Sequence, residues 1–178
     1  MPAGGLSASS YVVLGLLEVY GPGTPYDLKR WVDGSIGYFW TFPRAQLYVE
    51  PPRLATMGLL QETREAEGRR RRVYEVTEAG RVVLRAWLAE PGTGITEIRD
   101  PGLLKLFFAG TGSREEVVAL AREQEALHAR RLAEYERIQP GVASHERGAF
   151  ALVTLRLGLR HERLAVDFWR EIAESPPG

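Results

Sequence analysis

Gly58-Leu59-Leu60-Gln61-Glu62-Thr63-Arg64 is followed, after a short polar stretch, by Gly68 and then Arg69-Arg70-Arg71-Arg72, and the chain continues as Val73-Tyr74-Glu75-Val76-Thr77. The last run alternates in the manner of a half-buried strand, and the first is a second strand-like run. Gly68 allows the backbone to turn tightly. The stretch therefore reads as a β-hairpin with four arginines at its tip. A charged hairpin tip by itself is an ordinary solvated loop. Its neighbours on both sides give it another meaning.

Three helices precede it. Ser9 and Ser10 are natural N-caps for a helix through Tyr11-Val12-Val13-Leu14-Gly15-Leu16-Leu17, which Gly21-Pro22-Gly23 ends. Thr24-Pro25-Tyr26-Asp27 starts a second helix: Thr24 caps, Pro25 takes the first helical position, and Asp27 places a carboxylate three residues after the cap. That helix runs to about Asp33. An aromatic connector, Gly37 to Thr41, leads to a third helix from about Pro43 to Met57, stopped by Gly58. After the hairpin, Thr77 caps a fourth helix, Glu78 to Ala89. Helix, helix, helix, hairpin, helix is the order of a winged helix-turn-helix, in which the third helix enters the DNA major groove and the wing lies along the backbone.

The 3.6-residue period then sorts the third helix. Leu47, Pro51 and Leu54 face the core, and Gln46, Tyr48, Val49, Pro52 and Arg53 turn away, with Arg44 near the N-terminal end. Gln46 suits an adenine edge, Arg44 and Arg53 a guanine or a phosphate, and Tyr48 a phosphate, a sugar or a thymine methyl. Arg69, Arg70, Arg71 and Arg72 would concentrate positive charge beside the phosphates. Pro51-Pro52 is discordant. A proline inside a helix removes a backbone hydrogen bond and costs about 3 kcal/mol, so a kink or a split is expected there.

Pro91-Gly92-Thr93-Gly94 is the best domain boundary. It divides the chain into a winged-helix domain (1–90), a linker (91–96) and a helical domain (97–178). Asp100-Pro101 opens a short apolar helix containing Leu103, Leu104, Leu106, Phe107 and Phe108. Ser113-Arg114-Glu115-Glu116 is a capping box that begins a helix to about Ile138, which Pro140-Gly141 should break. The final helix is expected from about His145 to Glu174. Along it Phe150, Thr154, Leu157, His161, Leu164 and Phe168 step by fours and threes, as a coiled-coil seam does. Leu152, Leu155, Leu159, Val166 and Trp169 form a second stripe. One stripe can pack within the subunit and the other against a second copy, so a homodimer is expected. Trp169, beside Phe168, is a candidate wall of an effector pocket between subunits. The fold class is mainly α with a small β-hairpin.

The composition excludes several alternatives. No apolar run approaches the roughly 20 residues that span a bilayer, and the first ten residues have neither the basic nor the apolar region of a signal peptide. Cysteine is absent, which removes disulfides, thiolate metal sites and a thiol nucleophile. These features point to the cytoplasm. Net charge is zero, from 23 basic and 23 acidic residues, so nucleic-acid binding must rest on local clusters. No P-loop, nucleophile elbow or zinc signature is present. His161-Glu162-Arg163-Leu164-Ala165 lacks the second histidine of a zinc helix. No catalytic constellation assembles and no cofactor is expected.

Over nearly its whole length the sequence resembles the PadR family of bacterial transcription regulators. The resemblance is carried by Thr24-Pro25-Tyr26-Asp27-Leu28-Lys29, by Gln46-Leu47-Tyr48 with Arg53-Leu54 and Gly58-Leu59-Leu60, and most specifically by Tyr74-Glu75-Val76-Thr77-Glu78-Ala79-Gly80. Leu103 to Phe108 and the run from Gly158 to Trp169 are similar to the family's helical dimerisation domain. Pro51-Pro52 departs from the leucine and polar residue common there. The resemblance implies a homodimer on a pseudo-palindromic double-stranded operator, usually a repressor, and release by a small aromatic or hydrophobic effector. Rivals from other classes are a winged-helix protein-interaction adaptor and a ligand-sensing dimer without DNA function.

Overall fold

The third helix and the wing are set on a small core that begins with α1, Ala8–Tyr20. A computed structural model describes residues 5–41, 43–64, 71–92, 98–145 and 148–177. The chain forms two compact units, Met1–Gly94 and Ile95–Gly178. In the first, α1 supplies Val13, Leu14 and Leu17 to the core, α2 (Pro25–Asp33) supplies Leu28 and Val32, and α3 (Gln46–Thr56) supplies Leu47 and Leu54. Leu59, Leu60, Tyr74 and Val76 close it from the hairpin, and Leu84 from α4 (Glu78–Ala89).

The expected caps hold at α2 and α4. Thr24 and Asp27 form a capping box with Pro25 in the first turn, and the Thr77 hydroxyl accepts the Gly80 N–H at 3.1 Å. The cap of α1 differs from expectation: it is Ser7, not Ser9 or Ser10. Ser10 lies in the third helical position, where its Oγ accepts the Ser7 N–H at 3.0 Å. α3 also starts later than expected, at Gln46, which leaves Arg44 on the turn before it. Pro51 and Pro52 lie within one continuous helix that is not split.

The hairpin pairs β1 (Leu60–Arg64) with β2 (Arg72–Val76), antiparallel, with Leu60 opposite Val76, Glu62 opposite Tyr74 and Arg64 opposite Arg72. Arg72 is thus a strand residue and not part of the tip. Arg69 and Arg70 lie outside the described residues. The loop between α1 and α2 adds a rung of its own: Gly23 and Tyr74 exchange both backbone hydrogen bonds, at 3.0 and 2.9 Å. This rung ties the start of α2 to the wing.

Gly58 and Gly80 are each required by the geometry. Gly58 ends α3 at φ +73°, where a Cβ is disfavoured. Gly80 sits where the first turn of α4 crosses the hairpin, and a Cβ there would collide with the Leu59 carbonyl oxygen. That oxygen is fixed by the Thr77 N–H at 3.1 Å and cannot move aside freely. Gly80→Ala is therefore expected to destabilise the first unit by about 2 kcal/mol, read as a lower chemical-denaturation midpoint. An unchanged midpoint would mean that the helix shifts without cost.

The second unit is helical among its described residues: α5 (Pro101–Phe108), α6 (Arg114–Ser144) and α7 (Ala149–Glu174). The Asp100 and Ser113 caps are as expected. The break expected at Pro140-Gly141 does not occur, and α6 runs through it to Ser144. One missing backbone bond is offset by the long packing of α6 along α7, which buries Val117, Ala121 and Tyr135 of one and Leu159, Val166 and Trp169 of the other. α7 starts at Ala149 rather than His145, because His145 is extended (ψ 132°) and Gly148 closes a turn back to its carbonyl at 2.8 Å.

Candidate nucleic-acid interface

Thr24, Pro25, Tyr26 and Asp27 from the start of α2, Tyr48 from α3, and Arg71 and Arg72 from the wing line one open cleft of the first unit. The Gly23–Tyr74 rung brings the α2 start to the wing, and Leu47 and Leu54, both fully buried, fix the rotation of α3 so that Tyr48 projects. Tyr26 and Tyr48 are 70% and 53% exposed, large rings with little to bury them. Two aromatic rings with hydroxyls and two guanidiniums facing one concavity suit a nucleic-acid strand, its backbone and its bases.

The electrostatics are mixed. Burial pushes the Asp27 carboxyl up, but the Thr24 backbone and hydroxyl hydrogen bonds, with Arg30 and Arg71, outweigh it and hold it below the usual carboxylate range. On the hairpin face it shares with Leu60 and Tyr74, Glu62 is also held low, first by the hydrogen bond from Arg64 Nε at 3.1 Å, and also by the Tyr74 hydroxyl at 3.1 Å and the charge of Arg72. Arg72 Nε stands 3.7 Å from that carboxylate. Arg72 is thus partly neutralised by Glu62 of the neighbouring strand, whereas the acid facing Arg71 is Asp27 of α2.

The other expected contacts are distributed differently. Gln46 is half-buried in the first turn of α3. Arg44 pairs with Asp33 through Nη1–Oδ1 at 2.6 Å at the far end of α2, with both side chains about half exposed. Arg53 does not turn outward as the period suggested. Its Nε and Nη2 bind Glu50 at 3.2 and 2.8 Å, Nη2 also reaches Ser10 Oγ at 2.9 Å, and Nη1 reaches the Gly5 carbonyl at 3.2 Å. The reason is Glu50, a buried carboxylate on the core side, which draws the guanidinium toward α1. Sequence reasoning missed Tyr26, Glu50 and Ser10. Tyr26 had no signal beyond its place beside a cap; Glu50 and Arg53 could have been found from their i,i+3 spacing.

In the second unit the two stripes of α7 separate cleanly. Leu159, Val166 and Trp169 are buried, whereas Phe150, Leu157 and Leu164 are 85%, 70% and 69% exposed, in line with exposed Thr154, His161 and Phe168. Trp169 is only 1% exposed, so it fills the interior of its own unit and is not an open platform for a ligand. Phe168 meets it edge-on, with ring centroids 5.1 Å apart. Phe107 and Phe108 of α5 add further exposed apolar surface. Among the described residues no group of three or more His, Asp or Glu is placed to hold a metal ion, and no helix is long and apolar enough to cross a membrane.

Known families, relatives and solved structures resemble the chain. Residues 13–86 match the family model described as the transcriptional regulator PadR-like family, and residues 98–175 match that described as virulence activator alpha C-term. A probable transcriptional regulator of Mycobacterium tuberculosis, Rv1176c, is 31% identical over 174 residues, spanning 84% of this chain and 88% of the relative. The negative transcriptional regulator PadR of Bacillus subtilis is 28% identical over 116 residues, spanning 64% of this chain and 63% of that protein. The crystal structure of that protein in complex with operator DNA superposes with a TM-score of 0.83 at 23% identity, covering 94% of this chain and 98% of that one. Its crystal structure in complex with p-coumaric acid superposes at 0.78 and 21% identity, covering 94% and 96%.

Proposed function

The chain belongs to the PadR-like family of transcriptional regulators, and on that premise we propose that it binds operator DNA as a homodimer, represses from it, and is released by a small aromatic ligand. The observation that carries the DNA reading is the cleft that joins Tyr26, Tyr48, Arg71 and Arg72. Arg71, with Arg69 and Arg70 before it in the sequence, supplies phosphate affinity, and α3 presents Tyr48, with Gln46 at its first turn, to the base edges. Arg44 contributes after release from Asp33. The exposed stripe Phe150, Leu157, His161, Leu164 and Phe168 is the subunit contact. It would set two copies of α3 about one DNA turn, roughly 34 Å, apart. The protein works in the cytoplasm, where its operator is. An aromatic acid like the p-coumaric acid seen with the Bacillus subtilis protein would meet Phe168 first, because Trp169 lies behind it in the interior.

The test is fluorescence anisotropy on the chain's own upstream intergenic DNA and on a scrambled duplex, across a salt series. Tight, salt-sensitive binding that prefers the native duplex supports the reading. Weak binding, equal on both and indifferent to salt, removes it and leaves the adaptor role. Tyr48→Ala is expected to weaken the native complex about tenfold and the scrambled one less, because a base-facing side chain carries discrimination that a phosphate contact does not. Equal losses on both duplexes would move Tyr48 to the backbone.

A further inference from the structure

The two prolines of α3 are matched by a polar cluster that no DNA contact explains. Pro51 and Pro52 carry no N–H, so the rungs they would donate to the Leu47 and Tyr48 carbonyls cannot form. Two consecutive rungs are therefore missing from the middle of an 11-residue helix, at the turn that carries Tyr48. Glu50 lies directly before the gap and Arg53 directly after it. They are joined by a two-pronged ion pair, Nε–Oε1 at 3.2 Å and Nη2–Oε2 at 2.8 Å, the strongest geometry available to these groups.

The pair is anchored to α1. Ser10, fully buried, donates to Glu50 Oε2 at 3.0 Å and accepts from Arg53 Nη2 at 2.9 Å and the Ser7 N–H at 3.0 Å. These bonds use its one proton and both lone pairs. Arg53 Nη1 also reaches the Gly5 carbonyl at 3.2 Å. Glu50 is buried while the Arg53 side chain is 36% exposed, and an ion pair taken out of water seldom stabilises a fold more than an apolar pair of the same volume would; what it supplies is a fixed arrangement. Here the arrangement fixed is the turn of α3 that lacks its backbone bonds.

We propose that Glu50, Arg53 and Ser10 form a staple across Pro51-Pro52 that holds α3 in the pose required to read DNA, and that they are positioning residues rather than DNA contacts. The proposal rests on the DNA-binding reading given above, but its structural half can be measured without DNA. Two changes are combined in a double-mutant cycle: Glu50→Gln, which keeps the shape and removes the charge, and Pro51→Ala with Pro52→Ala, which restores both donors. If Glu50→Gln costs unit 1 its fold, Arg53→Lys replaces it, retaining the charge while giving up the fork.

In the proline background Glu50→Gln is expected to weaken binding to the native duplex about tenfold. Affinity for the scrambled duplex and the salt slope, both set by the wing, should hold. Amide exchange of Arg53 to Met57 should quicken by a similar factor. In the alanine background the same change is expected to cost less than about twofold in both readouts. Equal costs in the two backgrounds, or no change in exchange, would overturn the staple. If the unaltered protein shows no preference for the native duplex, the DNA reading fails and the exchange data alone decide the staple.

Discussion

Arg70→Glu/Arg71→Glu is expected to lower affinity for the native duplex by at least about a hundredfold at physiological salt, and to flatten the salt dependence. Each phosphate neutralised by an arginine contributes about 0.9 to the slope of log affinity against log salt. Two arginines per wing and two wings per dimer should therefore take roughly 4 from that slope. The replaced charges do more than vanish. Asp27 faces Arg71 across the cleft, and with glutamate at both positions it becomes part of an acidic wall that repels the backbone. The fold should be indifferent, because Arg71 is exposed and precedes β2, outside its pairing with β1. A thermal melt within about 0.5 kcal/mol of the unaltered protein is the control. An unchanged slope in the variant would show that the wing does not touch phosphate, and the regulator's DNA contact would have to be sought elsewhere on the first unit.

The second large effect concerns assembly. Leu157→Asp/Leu164→Asp is expected to convert the protein to a monomer of the 19.9 kDa chain mass in sedimentation. It should also reduce affinity for a two-half-site operator by about 10²- to 10⁴-fold, because the second half-site is no longer presented at high effective concentration. Affinity for a single half-site should stay the same. Both leucines project from the exposed stripe of α7, opposite the buried Leu159, Val166 and Trp169, so the subunit itself loses no core. A variant that still sediments as a dimer would transfer the seam to another surface, with the exposed Phe107 and Phe108 of α5 the first to test.

Caps and periodicity made much of the fold legible. Thr24, Thr77, Asp100 and Ser113 each announce a helix because a short side-chain oxygen there satisfies backbone donors that nothing else satisfies. The two stripes of α7 were readable because a buried and an unburied apolar face obey the same 3.6-residue period. The interior prolines misled in α3 and α6, whereas Pro25 and Pro101 open their helices as expected. Proline acts on local bonding only, and side-chain packing offset it: along α7 for Pro140, and through the Glu50–Arg53–Ser10 cluster for Pro51-Pro52. Arg53 misled for the same reason, since its period placed it outward while a buried carboxylate one turn away drew it in.

The order of elements, the hairpin and the division of α7 into two faces were determined by the sequence alone, because each follows from hydrogen bonding and hydrophobic period within a few turns of chain. Tertiary structure alone decided which side chains share the cleft, through the Gly23–Tyr74 rung that joins the start of α2 to the wing. It also decided that Ser10, 40 residues before Glu50, completes that carboxylate's hydrogen bonding. Such pairings are set by how distant segments dock on a common core, and no local spacing records the distance between them in space.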